Sequence, residues 1–450
     1  TYIDAYYNLS EGSSDELIPL TAENSWNLND HWQDLYQHTW EEDQPLFFNV
    51  WNQAYEGINL CNLALLESRS SNVSFIAELK VLRAFYYYLL LDCFGGVPIL
   101  QEDSQGKPFP ARATKEATFN YIEQEILFAI PNLTGSPIYG RINSDVAYAI
   151  LAKLYLNAEV YVHTPAWEKV VEVCTAIEDS GNYNLSPNYF DNFSADNHIS
   201  GVTEIIFYAI YDVTAIPSGT QMDLTSRSIH PVQLGLNNAV LPRPFYAVPP
   251  DFYNQFNLTQ DQRANAFLVG QQFSGFDESD GTVLLDSKGN NLDFTVDIDE
   301  YPFVTESTGV RVLKYQIDPA RNGNFANNDF AIFRYADVLL MHAEALIHLG
   351  QAQEAIDLIN LIRTRAFQGS TQDFDFATIA QNDLLDIVLQ ERGFELFWEG
   401  LRRQDLIRFN RFCDAQLFKP ADDDCEKRKL FPIPKQILDE NPLVTQNPGY

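Results

Sequence analysis

The most regular feature of this chain is the recurrence of apolar residues at intervals of three and four positions, which places them along one stripe of a helix. A polar stretch at 68–72 separates the first two such segments, so they are expected to form an antiparallel hairpin. Asn143 is a predicted helix cap, and so is Thr164, with Pro165 at the first helical position. Helices are predicted over 47–66, 75–94, 116–133, 143–161, 167–179, 335–349, 352–366, 379–398 and 402–412.

The two helical regions resemble each other. Segments 152–171 and 343–356 each contain a helix rich in small residues, a short turn, and then an amphipathic helix that opens with an acidic residue. Small residues such as Ala152 and Ala343 let neighbouring helices approach closely. This arrangement is typical of tetratricopeptide-type helix pairs.

The middle of the chain has a different pattern, rich in Asn, Gly, Pro, Asp and aromatic residues, with a β-like run at 204–211. A stretch this long without regular structure is usually functional. We predict a mainly α fold, in which tetratricopeptide-like helical hairpins form a superhelical scaffold that carries a large irregular, loop-rich lobe. The predicted single unit, 1–450, comprises the scaffold over about 35–182 and 332–412, the lobe over about 183–331, an N-terminal loop over 1–34 and a C-terminal tail over 413–450.

The net charge of the chain limits the classes of ligand that it is expected to bind. With 62 acidic and 29 basic residues, the formal net charge is −33. Such a surface repels phosphate backbones and anionic lipid headgroups, which argues against nucleic-acid binding. It is also a poor match for a strongly acidic polysaccharide, and suits a neutral ligand or simple solubility.

The sequence shows no apolar run of the roughly 18 residues that a membrane-spanning helix needs. The chain does not begin with Met, so any targeting segment is expected upstream of residue 1. None of the five cysteines forms a C-x-x-C pair, which gives zinc and dithiol redox chemistry no support. Cys413 and Cys425 flank a loop and could form a bridge, but free thiols are the expected state.

Three segments carry a family resemblance. The first, 78–98, reads E-x-x-x-x-R-A-F-x-Y and continues to FGGVP. The second starts with FRYADVLLMHAEAL at 333–346, and the third is ERGFELFWEGLRRQDLIR at 391–408, followed by FPIP and a terminal NPGY. In this order the segments resemble the SusD/RagB family, and the resemblance extends over nearly the whole chain from about Leu35.

This resemblance implies a non-enzymatic glycan-binding lipoprotein of the bacterial outer membrane, of the kind found in Bacteroidetes. It implies a SusC-like TonB-dependent transporter as partner, over which the protein sits as a lid. It also implies attachment at the cell surface through a lipid anchor upstream of residue 1, which would be the protein's only association with the membrane. The ligand is expected to be an oligo- or polysaccharide, and the lack of basic clusters favours a neutral glucan.

Charged residues on otherwise apolar helices are interpreted as structural. A general acid/base pair is the functional alternative, but Arg and Glu at helical spacing suit ion pairing, which keeps carboxylates ionised. The sequence therefore predicts paired ions that hold helices in register. The residues concerned are Glu78, Arg83, Glu344, Glu391, Arg392, Glu395, Glu399, Arg402, Arg403 and Asp405.

Two segments are candidates for the ligand site, because sugars offer apolar C–H faces to aromatic rings and hydroxyls to amides and carboxylates. The first is the stretch 23–34, in which Trp26 is the predicted stacking platform, and packing and binding are equally expected of Trp32. Packing alone is expected of Trp40 and Trp51, which follow this stretch. The second is the Pro-rich stretch 235–246, for which an ordinary connection is an equal alternative. The predicted ligand-binding residues are Trp26, Asn27, Asn29, Asp30, Trp32, Asn237, Asn238 and Tyr246.

Other interpretations stay open at this stage. The ligand could be a peptide, because RagB-type members pair with peptide importers, and a glycoside hydrolase is a weaker alternative since no motif selects a carboxylate pair. No catalytic residue and no cofactor is predicted. Acidic stretches at 422–424 and 293–300 could gather structural calcium, but neither matches an EF-hand loop.

Overall fold

The protein is described here by a computed structural model. The described residues are 2–22, 31–67, 72–104, 110–198, 202–213, 222–235, 245–276 and 281–450.

Helices dominate the structure. Those before the middle of the chain are α1 (Asn8–Gly12), α2 (His31–Gln37), α3 (Pro45–Glu67), α4 (Val73–Phe94), α5 (Lys115–Ala129), α6 (Ser144–Leu156), α7 (Ala158–Val162) and α8 (Trp167–Ser180). The later ones are α9 (Leu224–Ser228), α10 (Pro250–Tyr253), α11 (Tyr335–His348), α12 (Ala352–Ala366), α13 (Leu384–Leu396), α14 (Arg402–Arg408), α15 (Cys425–Arg428) and α16 (Lys435–Glu440). A π-helical turn (Ile3–Tyr7) precedes α1, so the start of the chain is helical rather than the expected loop.

The long helices pack as the periodicity predicts. Helix α3 packs on α4, α4 on α5, α6 on α8, and α11 on both α12 and α8. The Asn143 cap is confirmed, since its Oδ1 accepts the backbone N–H groups of Asp145 and Val146 at 2.9 Å. The predicted Thr164 cap is wrong: Ala166 has a non-helical φ of −134°, and the helix begins at Trp167.

Some predicted helices are shorter than expected. The segment 143–161 is broken at Asn157, whose side chain donates to the Lys153 carbonyl at 3.0 Å and accepts from Arg408. A side chain that binds nearby backbone competes with the helix. Helix α13 starts at Leu384 rather than at Ile379, because short 3₁₀ turns precede it.

Short strands from the start and the middle of the chain form small sheets. The strands are β1 (Ile18–Ala22), β2 (Ile205–Ala209), β3 (Phe245–Ala247), β4 (Phe267–Leu268), β5 (Gly270–Gln271), β6 (Asp293–Phe294), β7 (Phe303–Val304), β8 (Arg311–Val312) and β9 (Phe330–Arg334). A three-stranded sheet has the order β3–β1–β7, and two-stranded sheets pair β2 with β9, β4 with β8 and β5 with β6. The predicted strand at 204–211 is confirmed as β2.

Charged residues of the scaffold form buried ion pairs, as predicted. The partners come mostly from different elements rather than from one helix. Glu395, for example, lies at 2.6 Å from Arg365, 3.0 Å from Arg334 and 3.2 Å from Arg263. Burial alone would raise its pKa, but these guanidinium groups outweigh burial and lower the pKa of Glu395 to about 2. This carboxylate therefore stays ionised.

Two further findings concern the tail and the membrane. Cys413 and Cys425 form a disulfide, so the expectation of free thiols is wrong for this pair. Their Cα atoms are 5.6 Å apart, a separation that suits a bridge. The described helices include none that is both long and apolar enough to span a bilayer.

Candidate aromatic binding site

The two segments predicted to bind ligand attach to the same end of the three-stranded sheet. Strand β1 ends at Ala22, just before residues 23–30, and β3 begins at Phe245, just after residues 236–244. The strands are antiparallel, with Leu20 opposite Phe245. The end of β1 and the start of β3 therefore lie side by side, and the sheet brings both attachment points together.

One face of this sheet is aromatic. Opposite residues in paired strands share a face, and neighbours along a strand point to opposite faces. Pro19 pairs with Tyr246, and Thr21 with Phe303, so these four residues lie on one side. Trp32, at the start of α2, packs on Tyr246 with the ring centroids 5.7 Å apart. We call Trp32, Tyr246 and Phe303 the aromatic face.

The opposite side of the sheet belongs to the core, which holds the aromatic face in place. Apolar residues of the three strands pack there against α2 and the segment before β7, and each of them is at most 5% exposed. The buried residues are Ile18, Leu20, Tyr36, Ala247, Ile298 and Val304.

Tyr246 is the support of the aromatic face rather than its contact surface. Its side chain is 2% exposed and lies between the rings of Trp32 and Trp398. The hydroxyl donates to Asn8 Oδ1 at 3.1 Å and accepts from Arg227 at 3.4 Å, and burial raises the pKa of Tyr246 to about 12. The predicted direct contact of Tyr246 with ligand does not fit this burial, because Trp32 and Trp398 pack against its ring.

Phe303 offers the open ring. Its side chain is 70% exposed, although large apolar side chains are usually buried, while Trp32 is half-buried. An exposed aromatic plane can hold the C–H face of a pyranose. Phe303 is not among the residues predicted from the sequence, although the aromatic run Tyr301–Pro302–Phe303 is a signal for an exposed ring. In that run Tyr301 is not open, because it stacks on Phe418 with the ring centroids 4.8 Å apart.

The chain after β7 is fixed by a buried hydrogen-bond network. Glu306 accepts from His230 Nε2 and from the Ser287 backbone N–H, both at 2.9 Å. Burial by itself raises the pKa of Glu306, but the hydrogen bonds from Ser287 and His230 outweigh it and hold the pKa below its usual value. The network ties β7 to the 3₁₀ turn Pro231–Leu234, which leads toward residues 236–244.

The other predicted site residues divide into two groups. Trp40 and Trp51, expected to pack, are 0% and 5% exposed, which confirms that interpretation. The remaining predicted contacts lie outside the described residues, and their roles stay predictions: Trp26, Asn27, Asn29, Asp30, Asn237 and Asn238.

Four described carboxyl groups have the raised pKa that acid catalysis uses, but all of them are inaccessible. Asp145 is 2% and Asp329 0% exposed, and the other two, Glu11 and Glu16, form a pair. Glu11 is 0% exposed and Glu16 is 1% exposed. Burial raises the pKa of Glu11 to about 7, and burial together with the neighbouring Glu11 carboxyl raises the pKa of Glu16 well above its usual value. They accept from the backbone N–H groups of Gly400 and Trp398, which joins the start of the chain to the scaffold. A buried pair in this position cannot contact a saccharide.

Among the described residues, neither acidic stretch considered for calcium, 422–424 or 293–300, is a cluster of metal ligands. Asp422 lies 3.1 Å from Arg428 Nε, so its charge is already paired. Across the described ranges, no three His, Cys, Asp or Glu side chains are grouped as metal ligands.

Comparison with known families agrees with the motifs. The sequence pattern of the SusD family matches residues 254–450. A second pattern, described as starch-binding and associating with the outer membrane, matches residues 8–156. The chain belongs to the SusD family. The two matches fall on separate parts of the chain, so the membership does not rest on one motif.

Relatives of this SusD-family chain extend over most of its length. A SusD-like protein of Formosa agariphila is 26% identical over 446 residues, which cover 93% of this chain and 83% of that protein. The starch-binding protein SusD of Bacteroides thetaiotaomicron is 25% identical over 413 residues, covering 83% of this chain and 72% of that protein.

Solved SusD-type structures share the fold. A SusD superfamily protein from Parabacteroides distasonis superposes with a TM-score of 0.78 at 22% identity, covering 99% of this chain and 93% of the other. A laminarin-binding SusD-like protein gives a TM-score of 0.77 at 22% identity, with 99% and 94% covered. The mainly helical fold predicted from the sequence is thus confirmed.

Proposed function

We propose that this protein is a non-catalytic glycan receptor of the outer-membrane surface, which captures a neutral, glucan-type oligo- or polysaccharide and delivers it to a partner TonB-dependent transporter. The family descriptions of starch binding and outer-membrane association support the general function. A relative named for starch and a solved structure named for laminarin favour glucans over other glycans.

The observation that carries the proposal is the aromatic face. It joins an open ring, Phe303, and a supported ring, Trp32, to the strand ends from which the segments 23–30 and 236–244 leave. Aromatic planes hold sugar rings by apolar contact, and the amides and carboxylates of the two segments would bind hydroxyls. This composition suits binding, because the four described carboxyls with a raised pKa are buried elsewhere.

Hand-over to a transporter requires modest affinity. A few stacked rings and hydrogen bonds give roughly −5 to −8 kcal/mol, a Kd of about 0.1 mM to 1 μM. A ligand bound in this range is released on a useful timescale. If binding favours closure over the transporter, the ligand must bind the closed state more tightly than the open one.

Isothermal titration calorimetry against laminarin, a soluble starch and a densely charged anionic polysaccharide tests the proposal. We expect binding to at least one neutral glucan and none to the anionic polymer. Trp26→Ala should abolish or strongly weaken glucan binding while circular dichroism stays unchanged. Phe128→Ala, which removes a ring 50% exposed on α5, is the matched control and should bind as wild type.

Two results would redirect the proposal. Binding of peptides in place of glycans, weakened by the same Trp26→Ala change, would favour a RagB-like peptide receptor. Release of reducing sugar from a neutral glucan by the pure protein would contradict the non-catalytic assignment.

A further inference from the structure

A cavity of about 950 Å³ lies away from the aromatic face. It is bounded by the end of α4, the start of α5, α7, α14 and the C-terminal tail, and none of its described lining residues belongs to β1, β3, β7 or α2. Its volume is in the range of small-molecule sites. The residues of its wall determine which kind of ligand it could bind.

Among the described residues, five Lys and Arg side chains line this cavity. Arg408 and Lys429 pair with Glu344 and Glu426, but the other three do not pair with a described carboxylate. Arg112 donates to the backbone carbonyls of Gly96 and Thr445 at 2.6 Å and of Phe94 at 2.9 Å, all of which are neutral. Lys427 places its Nζ 4.6 Å from the ring centroid of Tyr450. Lys115 is the third cation, at the start of α5.

A half-buried lysine elsewhere in the protein shows the contrast. Lys80 lies 2.6 Å from Glu125, and both side chains are largely shielded from water. Within the described part of the chain, the ion pairs include no such partner for Arg112, Lys115 or Lys427. Arg112, Lys115 and Lys427 therefore differ from the paired charges of the scaffold.

Their charge is incompletely compensated. Burial lowers the pKa of Lys115 despite the attraction of Glu116 and Glu426, and burial lowers the pKa of Arg112 as well. In a protein with 62 acidic and 29 basic residues, three such cations in one cavity run against the composition. A desolvated cation is unfavourable unless a partner or a ligand supplies the counter-charge.

Acidic residues of the cavity do not cancel this charge. Glu159, Asp424 and Glu426 are exposed at the rim, and the Glu426 side chain, 84% exposed, pairs with Lys429. Asp92, on the inner wall, is paired with Arg403 at 3.0 Å and accepts from two tyrosine hydroxyls. Exposed charges are screened by water and salt, while half-buried cations are screened less.

We propose that this cavity is a second ligand site, which binds a sugar-sized molecule carrying one anionic group, a carboxylate or a sulfate ester, with Lys115 and Lys427 as its counter-ions. The half-buried side chain of Val160 in the wall can contact the face of the ring, over the buried Leu91 and Ile407. The site goes beyond the proposed glucan receptor function. It would let a protein with a net charge of −33 accept a sparsely charged glycan that its overall field disfavours.

Calorimetry of the full chain with glucuronate, glucose 6-sulfate and glucose tests the site. We expect one or both anions to bind more tightly than glucose, and the two arms tell carboxylate from sulfate. Rising salt should weaken that binding. The double variant Lys115→Met/Lys427→Met should lose about tenfold or more in affinity, as expected for hydrogen bonds to charged groups. Lys435→Met, outside the cavity, is the control.

Equal affinity for glucose and both anions in the wild type at low salt would overturn the proposal, whatever the variant does. So would unchanged anion binding in a folded double variant. The outcome is separable from that of the aromatic face, because the double variant should keep glucan binding and Trp26→Ala should keep anion binding.

Discussion

The scaffold and the aromatic face use buried and exposed groups in opposite ways. In the scaffold, Arg334 is 1% exposed, and its guanidinium contacts three carboxylates, those of Glu204, Glu395 and Glu399. On the aromatic face, Phe303 is an apolar ring left 70% open to water. A buried guanidinium and an exposed aromatic ring both differ from the usual arrangement, in which charged side chains face water and large apolar ones are buried.

The difference between the two regions indicates what each contributes. Every scaffold charge predicted to be structural has an oppositely charged partner within the protein. The aromatic face instead leaves most of one ring uncovered. We therefore expect the scaffold charges to stabilise the fold, and we propose that the aromatic face binds the ligand.

The largest expected effect is on the scaffold. Arg334→Ala leaves three buried carboxylates short of a counter-ion, and we expect the free energy of unfolding to fall by about 3–5 kcal/mol. Urea unfolding followed by circular dichroism measures this. Arg411→Ala, which removes an exposed pair with Asp386, should cost less than about 1 kcal/mol. Equal losses in the two variants would contradict the structural role of the buried network.

Next in size is the tail disulfide between Cys413 and Cys425. Cys413→Ser should lower the free energy of unfolding by about 2–3 kcal/mol, because a short loop in the unfolded chain is no longer closed. Glucan affinity should not change. Adding a reductant should destabilise the wild type and leave the variant as it was. If the reductant has no effect on the wild type, the bridge does not form.

A smaller effect concerns the Glu11–Glu16 pair at the junction of the two regions. The folded-state pKa of Glu11 is raised to about 7, so its stabilising contribution is fully present below its ordinary pKa. That contribution is lost as the pH rises through about 7. Glu11→Gln should therefore reduce the loss of unfolding free energy between about pH 4.5 and 7.5 by about 1–2 kcal/mol. Denaturant titrations at several pH values measure the slope, with the exposed Glu426→Gln as control. A slope identical to that of the wild type would show that Glu11 ionises normally.

The smallest effect is on recognition alone. Phe303→Ala should weaken glucan binding by about 1 kcal/mol, roughly fivefold, since one stacking plane is removed. The free energy of unfolding should change by less than about 0.5 kcal/mol because the ring is exposed. Calorimetry and a thermal melt separate the two, with Phe128→Ala again as control. Loss of stability without loss of affinity would return Phe303 to a packing role.

The scaffold was predictable from sequence because its signal is local and repeated. The three- and four-residue spacing extends through four long helices, α3, α4, α5 and α12, each of which spans several turns. Charged residues on those apolar stripes indicated ion pairs. Their partners were not predictable, since Glu395 joins Arg263, Arg334 and Arg365, which lie on separate elements.

The aromatic face could be predicted only in part. Strands β3 and β7 are very short, so they show no alternating pattern in the sequence. They pair with β1, which lies near the start of the chain, far before both of them in the sequence. Residue types pointed to the segments around Trp26 and Asn237, but the exposure of Phe303 and the burial of Tyr246 depend on that long-range pairing.

Hydrogen–deuterium exchange with and without a neutral glucan such as laminarin tests the central claim most directly. If the aromatic face binds the sugar, protection should concentrate in 18–36, 236–247 and 301–306, with the scaffold helices α11–α14 unchanged. Protection confined to the scaffold, or to the cavity beside Lys115, while those three segments exchange as in the free protein, would contradict the account.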